Sequence, residues 1–153
     1  MTKRLSAILL VIFALTMTGY AQSETISATR NTVGVKLDGA YIGANNFVSE
    51  GVTYVPIRAI SEYFGAEVAF DSETMSAKII TGASAPSNSN PIDYVVSTND
   101  LTEDMTVDKN LVTLYVDGQK IESDNFLFEG TTYVPLRSVS NALNCTVNYD
   151  QAT

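Results

Sequence analysis

The chain has no histidine, one cysteine, and nine lysines and arginines among 153 residues. Without histidine, the common catalytic triads and zinc sites lack their imidazole. With Cys145 as the only thiol, no disulfide can form within the chain. Nine basic residues against 17 acidic ones leave a formal charge of −8. That argues against the basic face that nucleic acids and anionic membranes require. No P-loop and no Gly-x-Gly-x-x-Gly occurs. Acidic residues are present, but no pair stands out from the surface background as an acid–base couple. The chain is therefore read as a non-enzyme with no cofactor.

The N-terminus carries Lys3 and Arg4, an apolar run over 5–17, and Gly19-Tyr20-Ala21. The run is short for a membrane span. With small residues at Gly19 and Ala21, it reads as a signal peptide over 1–21, cleaved after Ala21. No cysteine follows the run, so no lipid attachment is expected. Cleavage would move the charge to −10 (−8 − 2). The expected location is extracellular or cell-wall associated, or periplasmic if the source has an outer membrane. No membrane contact is expected after cleavage.

Residues 33–74 reappear without a gap as 112–153, at an offset of 79 (117 − 38). Both copies hold Asp-Gly (Asp38-Gly39, Asp117-Gly118), Asn-Phe (Asn46-Phe47, Asn125-Phe126) and Glu-Gly (Glu50-Gly51, Glu129-Gly130). Both continue Thr-Tyr-Val-Pro-x-Arg, with Tyr54, Pro56 and Arg58 matching Tyr133, Pro135 and Arg137. Each closes on aromatic-Asp-x-x-Thr: Phe70, Asp71 and Thr74; Tyr149, Asp150 and Thr153. A repeat of this kind means a repeated supersecondary unit.

Within each copy the spacing predicts two hairpins, with turns at Asp-Gly and Glu-Gly. Proline then opens a helix, whose apolar positions are Ile57, Ile60 and Phe64, or Leu136, Val139 and Leu143. Gly65 and Asn144 suit a left-handed C-cap. Strands are expected over 67–70 and 146–149, and one more over 75–80. The shared Asp, Gly, Tyr, Pro and Arg positions are read as structural. Arg58 and Arg137 are expected to pair with Asp71 and Asp150 or with strand carbonyls, the alternative being carboxylate or sugar-acid binding. Tyr54 and Tyr133 are expected as half-buried packing residues. Cys145 matches Ala66 and is expected as a small buried side chain after a helix.

Residues 82–111 read as a linker rich in Ala, Ser, Asn and Pro, with a possible strand over 92–97. Asp100, Glu103, Asp104 and Asp108 form an acidic stretch without the EF-hand spacing, expected to be a solvated loop rather than a Ca²⁺ site. If exposed, Tyr41, Tyr63 and Tyr94 could form a platform for sugar or peptide. The second copy stops where the first begins its last strand. A fragment of something longer is expected, or another segment that fills the slot.

The motif order resembles the bacterial stalk domain, also called the copper amine oxidase N-terminal domain. The matching residues are Gly51-Val52-Thr53-Tyr54-Val55-Pro56-Ile57-Arg58 and Phe64-Gly65-Ala66-Glu67-Val68, with their counterparts in the second copy. Departures are Val52 and Thr131 for Arg, Phe70 and Tyr149 for Trp, and Asn144-Cys145 for Gly-Ala. The resemblance implies a small α+β module on secreted, often multidomain bacterial proteins, non-catalytic and with a generally unknown ligand. Copper chemistry is not expected without imidazole. Asn148-Tyr149-Asp150 imitates the oxidase's cofactor-forming tyrosine motif, but the first copy has Phe70 there. Tyr149 is expected as a core aromatic.

The resulting expectation is α+β: two tandem modules over 33–81 and 112–153, each with antiparallel hairpins packed on one short helix. Each is near the size where a single core is marginal, so the copies should pack together or pair across a dimer. The expected role is a structural or binding module of the envelope, with cell-wall glycan or another envelope protein as partner. The alternatives are an accessory region of a larger secreted enzyme and a glycan-binding module.

Overall fold

The computed structural model describes residues 22–37, 39–43, 45–82 and 102–149. The leader over 1–21, Asp38, Tyr94 and the possible strand at 92–97, Asp100 and Asp150 lie outside the described residues.

The first half contains β1 (Gln22–Arg30), β2 (Lys36–Leu37), β3 (Ala40–Tyr41), β4 (Phe47–Ser49), β5 (Val52–Pro56), α1 (Ile57–Tyr63), β6 (Glu67–Asp71) and β7 (Ser76–Ile80). The second contains β8 (Thr102–Lys109), β9 (Thr113–Val116), β10 (Gln119–Ile121), β11 (Phe126–Phe128), β12 (Thr131–Pro135) and α2 (Leu136–Ala142).

The local rules hold at the turns. Glu50 and Gly51 link β4 to β5 with φ of 50° and 76°, and Asp117 and Gly118 link β9 to β10 with 47° and 80°. Two successive left-handed residues give a turn whose twist matches the flanking strands, and glycine takes the second position without steric cost. Glu129 and Gly130 repeat this geometry, and Gly39 is left-handed between β2 and β3. Pro56 and Pro135 end their strands in extended conformation and hand the chain directly to α1 and α2. Gly65 and Asn144 close the helices at φ of 72° and 58°. The amides of Ala66 and Cys145 return to the carbonyls of Ser61 and Ser140 at 3.0 and 2.8 Å.

The α+β class holds and the copies pack together, but neither copy is simply a pair of hairpins packed on one helix. Six strands form one closed barrel in the order β1-β4-β5-β12-β11-β8, three from each half of the chain. Three strands alone would leave two open edges. Here each half closes the other, through β5 against β12 and β1 against β8. A second sheet, β10-β9-β7-β6, also crosses the repeats, because β7 runs parallel to β9. The β2–β3 hairpin forms a sheet of its own.

Two further expectations are corrected. Residues 102–109, read as an acidic loop within a linker, form β8 and pair along nearly all of β1. Only Met105 and Val107 are buried in β8, so most of its side chains are polar and outward. Residues 146–149, read as a strand, form no ladder. Their counterparts in β6 pair with β7.

The barrel interior is aromatic and shared. Phe47 of the first repeat meets Tyr133 of the second at 5.0 Å between centroids, and Phe126 meets Tyr54 at 4.9 Å. A second apolar cluster joins Val55 and Val134 to both helices, β7 and β9.

Candidate functional site

The residues held in common by both repeats converge on joints of the fold. Asn46 and Asn125 are buried. The Asn125 side chain donates to the Val112 carbonyl at 2.8 Å, and its Oδ1 accepts from the Val112 amide at 3.3 Å. Asn125 also exchanges bonds with Asn110: its amide donates to Asn110 Oδ1 at 2.9 Å, and the Asn110 amide donates to its carbonyl at 2.8 Å. Asn31 and Asn46 repeat this exchange, and Asn46 donates to the Val33 carbonyl. Each latch fixes the corner where a long strand leaves the barrel. Asn31 and Asn110 take the left-handed conformation that asparagine tolerates. The sequence signal was available in the repeated Asn-Phe pair, but the role was not legible from it.

Asp117 does more than form its turn. Its carboxylate accepts the Thr81 amide at 2.9 Å and the Thr81 hydroxyl at 2.6 Å, tying the end of β7 to the second repeat. The Thr81 hydroxyl and amide hold the Asp117 carboxyl below its usual range. Asp71 accepts the amides of Glu73 and Thr74 in the β6–β7 turn. Its carboxyl is also lowered, chiefly by Thr74.

Arg58 and Arg137 are exposed and make no ion pair among the described residues. The expected Arg58–Asp71 brace is absent: Asp71 faces Lys78 at 3.8 Å instead. Tyr54 is half-buried and Tyr133 buried in the barrel, and desolvation pushes both hydroxyls up.

The acidic stretch is consumed within the barrel wall. Glu103 accepts Arg30 Nε at 2.9 Å, and its repeat equivalent Glu24 accepts Lys109 Nζ at 3.1 Å. The Glu24 bond raises the Lys109 ammonium above its usual value. Asp104 and Asp108 accept hydroxyls of Ser27 and Ser23. Arg30 also stacks over the Phe47 ring at 4.8 Å.

Among the described residues, Tyr41 and Tyr63 have different surroundings, and Tyr94 lies outside them. Tyr41 lies under Lys36 Nζ at 4.5 Å, whereas Tyr63 packs on the apolar cluster. Tyr149 is 69 % exposed rather than a core aromatic, and Phe70 is 46 % exposed. Cys145 is half-buried rather than buried, whereas its counterpart Ala66 is buried. A crevice between the helices and the second sheet is lined by Ile57, Ile79, Leu114 and Val139 with two serines, and by no ionisable group.

The fold is thus built from two such repeats, with most of their shared residues in turns, latches and core. The chain belongs to the copper amine oxidase N-terminal domain family, which matches residues 20–79 and again residues 35–153. This is a non-catalytic accessory module present as tandem copies. No curated protein and no solved structure matches the chain. The residues do not fit a copper centre. Histidine is absent from the sequence, and among the described residues no group of three or more Cys, Asp or Glu could hold a metal ion. Among them, no helix is long and apolar enough to cross a membrane.

Proposed function

We propose that the chain is a secreted, non-catalytic stalk or binding module of the bacterial cell envelope, with cell-wall glycan or another envelope protein as its partner. One observation carries this reading: the polar residues common to both repeats are engaged in turns and latches or stand exposed. Asn46, Asn125 and Asp117 bind backbone or neighbouring strands, and Arg58 and Arg137 face solvent. The position of β1 supports export. Gln22, the residue after the expected cleavage point, already stands opposite Lys109 in the barrel. Loss of a leader ending at Ala21 would therefore leave the fold whole.

The test is fractionation of the source cells with an antibody to the protein, followed by intact-mass measurement. Envelope or medium fractions should hold a species that begins at Gln22. Recovery in the cytoplasm with residues 1–21 still attached would overturn the reading. The second reading, an accessory region of a larger secreted enzyme, draws on the family's N-terminal-domain character. A much heavier native species would favour it.

A further inference from the structure

Seven described residues other than glycine hold a left-handed backbone. Six are Asn, Asp or Glu, and the seventh is Met75, at φ of 47°. Asn and Asp tolerate that conformation through local bonds of their short side chains. A long apolar side chain has no such gain. Met75 closes the turn over 72–75 between β6 and β7. Asp71 accepts the amides of Glu73 and Thr74, and the Thr74 and Ser76 hydroxyls meet at 2.8 Å, so the turn is bonded on both sides of Met75. What holds Met75 itself is packing. Its side chain lies half-buried against the apolar cluster that both halves share.

The backbone of Met75 carries a joint between the halves. Its carbonyl accepts the Thr113 amide at 2.9 Å, at the near end of the parallel ladder in which Ser76 stands opposite Thr113 and Ile79 opposite Val116. At the far end the Asp117 amide donates to the Ile79 carbonyl, also at 2.9 Å. The Met75 thioether thus anchors a strained residue whose carbonyl reaches across to the second half. The other described methionine is placed differently. Met105 is 3 % exposed inside the barrel, whereas Met75 is partly open to solvent.

We propose that Met75 is an oxidation site, and that its conversion to the sulfoxide by a peroxide opens the near end of the β7–β9 joint. The step is an oxygen transfer. The Sδ lone pair attacks one peroxide oxygen, and the S–O bond forms as the O–O bond breaks. With hydrogen peroxide, the proton on the transferred oxygen passes to the departing one, which leaves as water. Sulfur loses two electrons and the peroxide gains them. The product is a polar, chiral side chain that no longer suits an apolar cluster. Without that packing the left-handed backbone is no longer held, and the Met75 carbonyl releases the Thr113 amide. Methionine sulfoxide reductases, one for each sulfoxide epimer, restore the thioether. The site does not depend on where the protein resides.

Cys145 is half-buried and peroxide oxidises thiols too. The test therefore treats the full chain carrying Cys145→Ala, the residue type of its counterpart Ala66, with hydrogen peroxide. Peptide mapping by mass follows each methionine, and hydrogen exchange read by NMR follows the amides of Thr113 and Asp117. Met75 should gain one oxygen at least about tenfold faster than Met105. Exchange at Thr113 should then quicken by about tenfold, while Asp117 stays within about threefold. Met75→Leu keeps the apolar bulk without the sulfur, and its Thr113 exchange should not respond to peroxide. Met75→Gln places a polar side chain of similar length there and should quicken Thr113 exchange without peroxide. Four results overturn the site. They are oxidation of Met105 as fast as Met75, Thr113 exchange unchanged in the sulfoxide or in Met75→Gln, the same peroxide response in Met75→Leu, and equal quickening at Asp117, which would mean general unfolding.

Discussion

Val55 and Val134 occupy the same place in the two repeats (134 − 55 = 79) and lie directly opposite each other in the β5–β12 ladder, both fully buried. Ile26 and Met105 are related in the same way across β1 and β8. A ladder that pairs a residue with its own repeat equivalent is what twofold symmetry demands. The chain is thus built as a symmetric dimer is built, with both subunits in one polypeptide. The barrel's ring contacts obey the same axis, each Phe meeting the other repeat's Tyr.

The two asparagine latches should differ in weight. Asn125→Ala leaves the amide and carbonyl of Val112 without their buried partner. A loss of about 2–3 kcal/mol is expected, and a smaller loss of about 1–2 kcal/mol for Asn46→Ala, whose side chain matches only the bond to the Val33 carbonyl. Urea unfolding of both variants measures this. Losses below about 0.5 kcal/mol would show that the latch is dispensable.

Acid should loosen the joint between β7 and the second repeat. The Asp117 carboxyl is lowered by Thr81, so the unfolded chain takes up the proton first. The contribution is complete above the unfolded value of about 3.9 and is lost as pH falls through the lower folded value. Asp71 acts in the same direction through Thr74. Asp117→Asn should therefore flatten the fall of the unfolding midpoint between about pH 4 and pH 2. An unchanged slope would contradict the Thr81 bond as its cause.

Ser61 and Ser140 are repeat equivalents, buried in α1 and α2, and their hydroxyls find no partner among the described residues. Ser61→Ala and Ser140→Ala remove an unsatisfied group and favour the helix. Each should raise stability by about 1 kcal/mol in thermal or urea unfolding. A fall would mean that the hydroxyl is bonded in solution.

Arg58→Ala and Arg137→Ala should change stability by no more than about 0.5 kcal/mol, as exposed sites with no ion pair among the described residues do. A loss of several-fold that size in unfolding experiments would restore the bracing role.

Much of the local structure was legible because it rests on residues with one physical use. Glu50-Gly51 and Asp117-Gly118 specify turns, Pro56 and Pro135 mark strand-to-helix junctions, and Gly65 and Asn144 end helices. The barrel was not legible, and β1 and β8 show why. Each buries only two apolar side chains, Ile26 and Ala28 or Met105 and Val107, among polar outward residues. That alternation is too brief to mark a strand, and the repeat there is chemical rather than literal, with Arg30 answered by Lys109. Asp117 was legible as a turn residue, but its grip on Thr81 joins positions 36 residues apart and needs the tertiary fold.

The most direct test of the symmetric construction is the oligomeric state of residues 22–82 expressed alone, measured by sedimentation equilibrium alongside circular dichroism. This half contains β1 and β5, whose ladders are self-complementary about Ile26 and Val55, and it should pair with a second copy of itself. The account expects an unfolded monomer at low concentration that converts to a folded dimer as concentration rises. A monomer that stays folded, with unfolding independent of concentration, would contradict it.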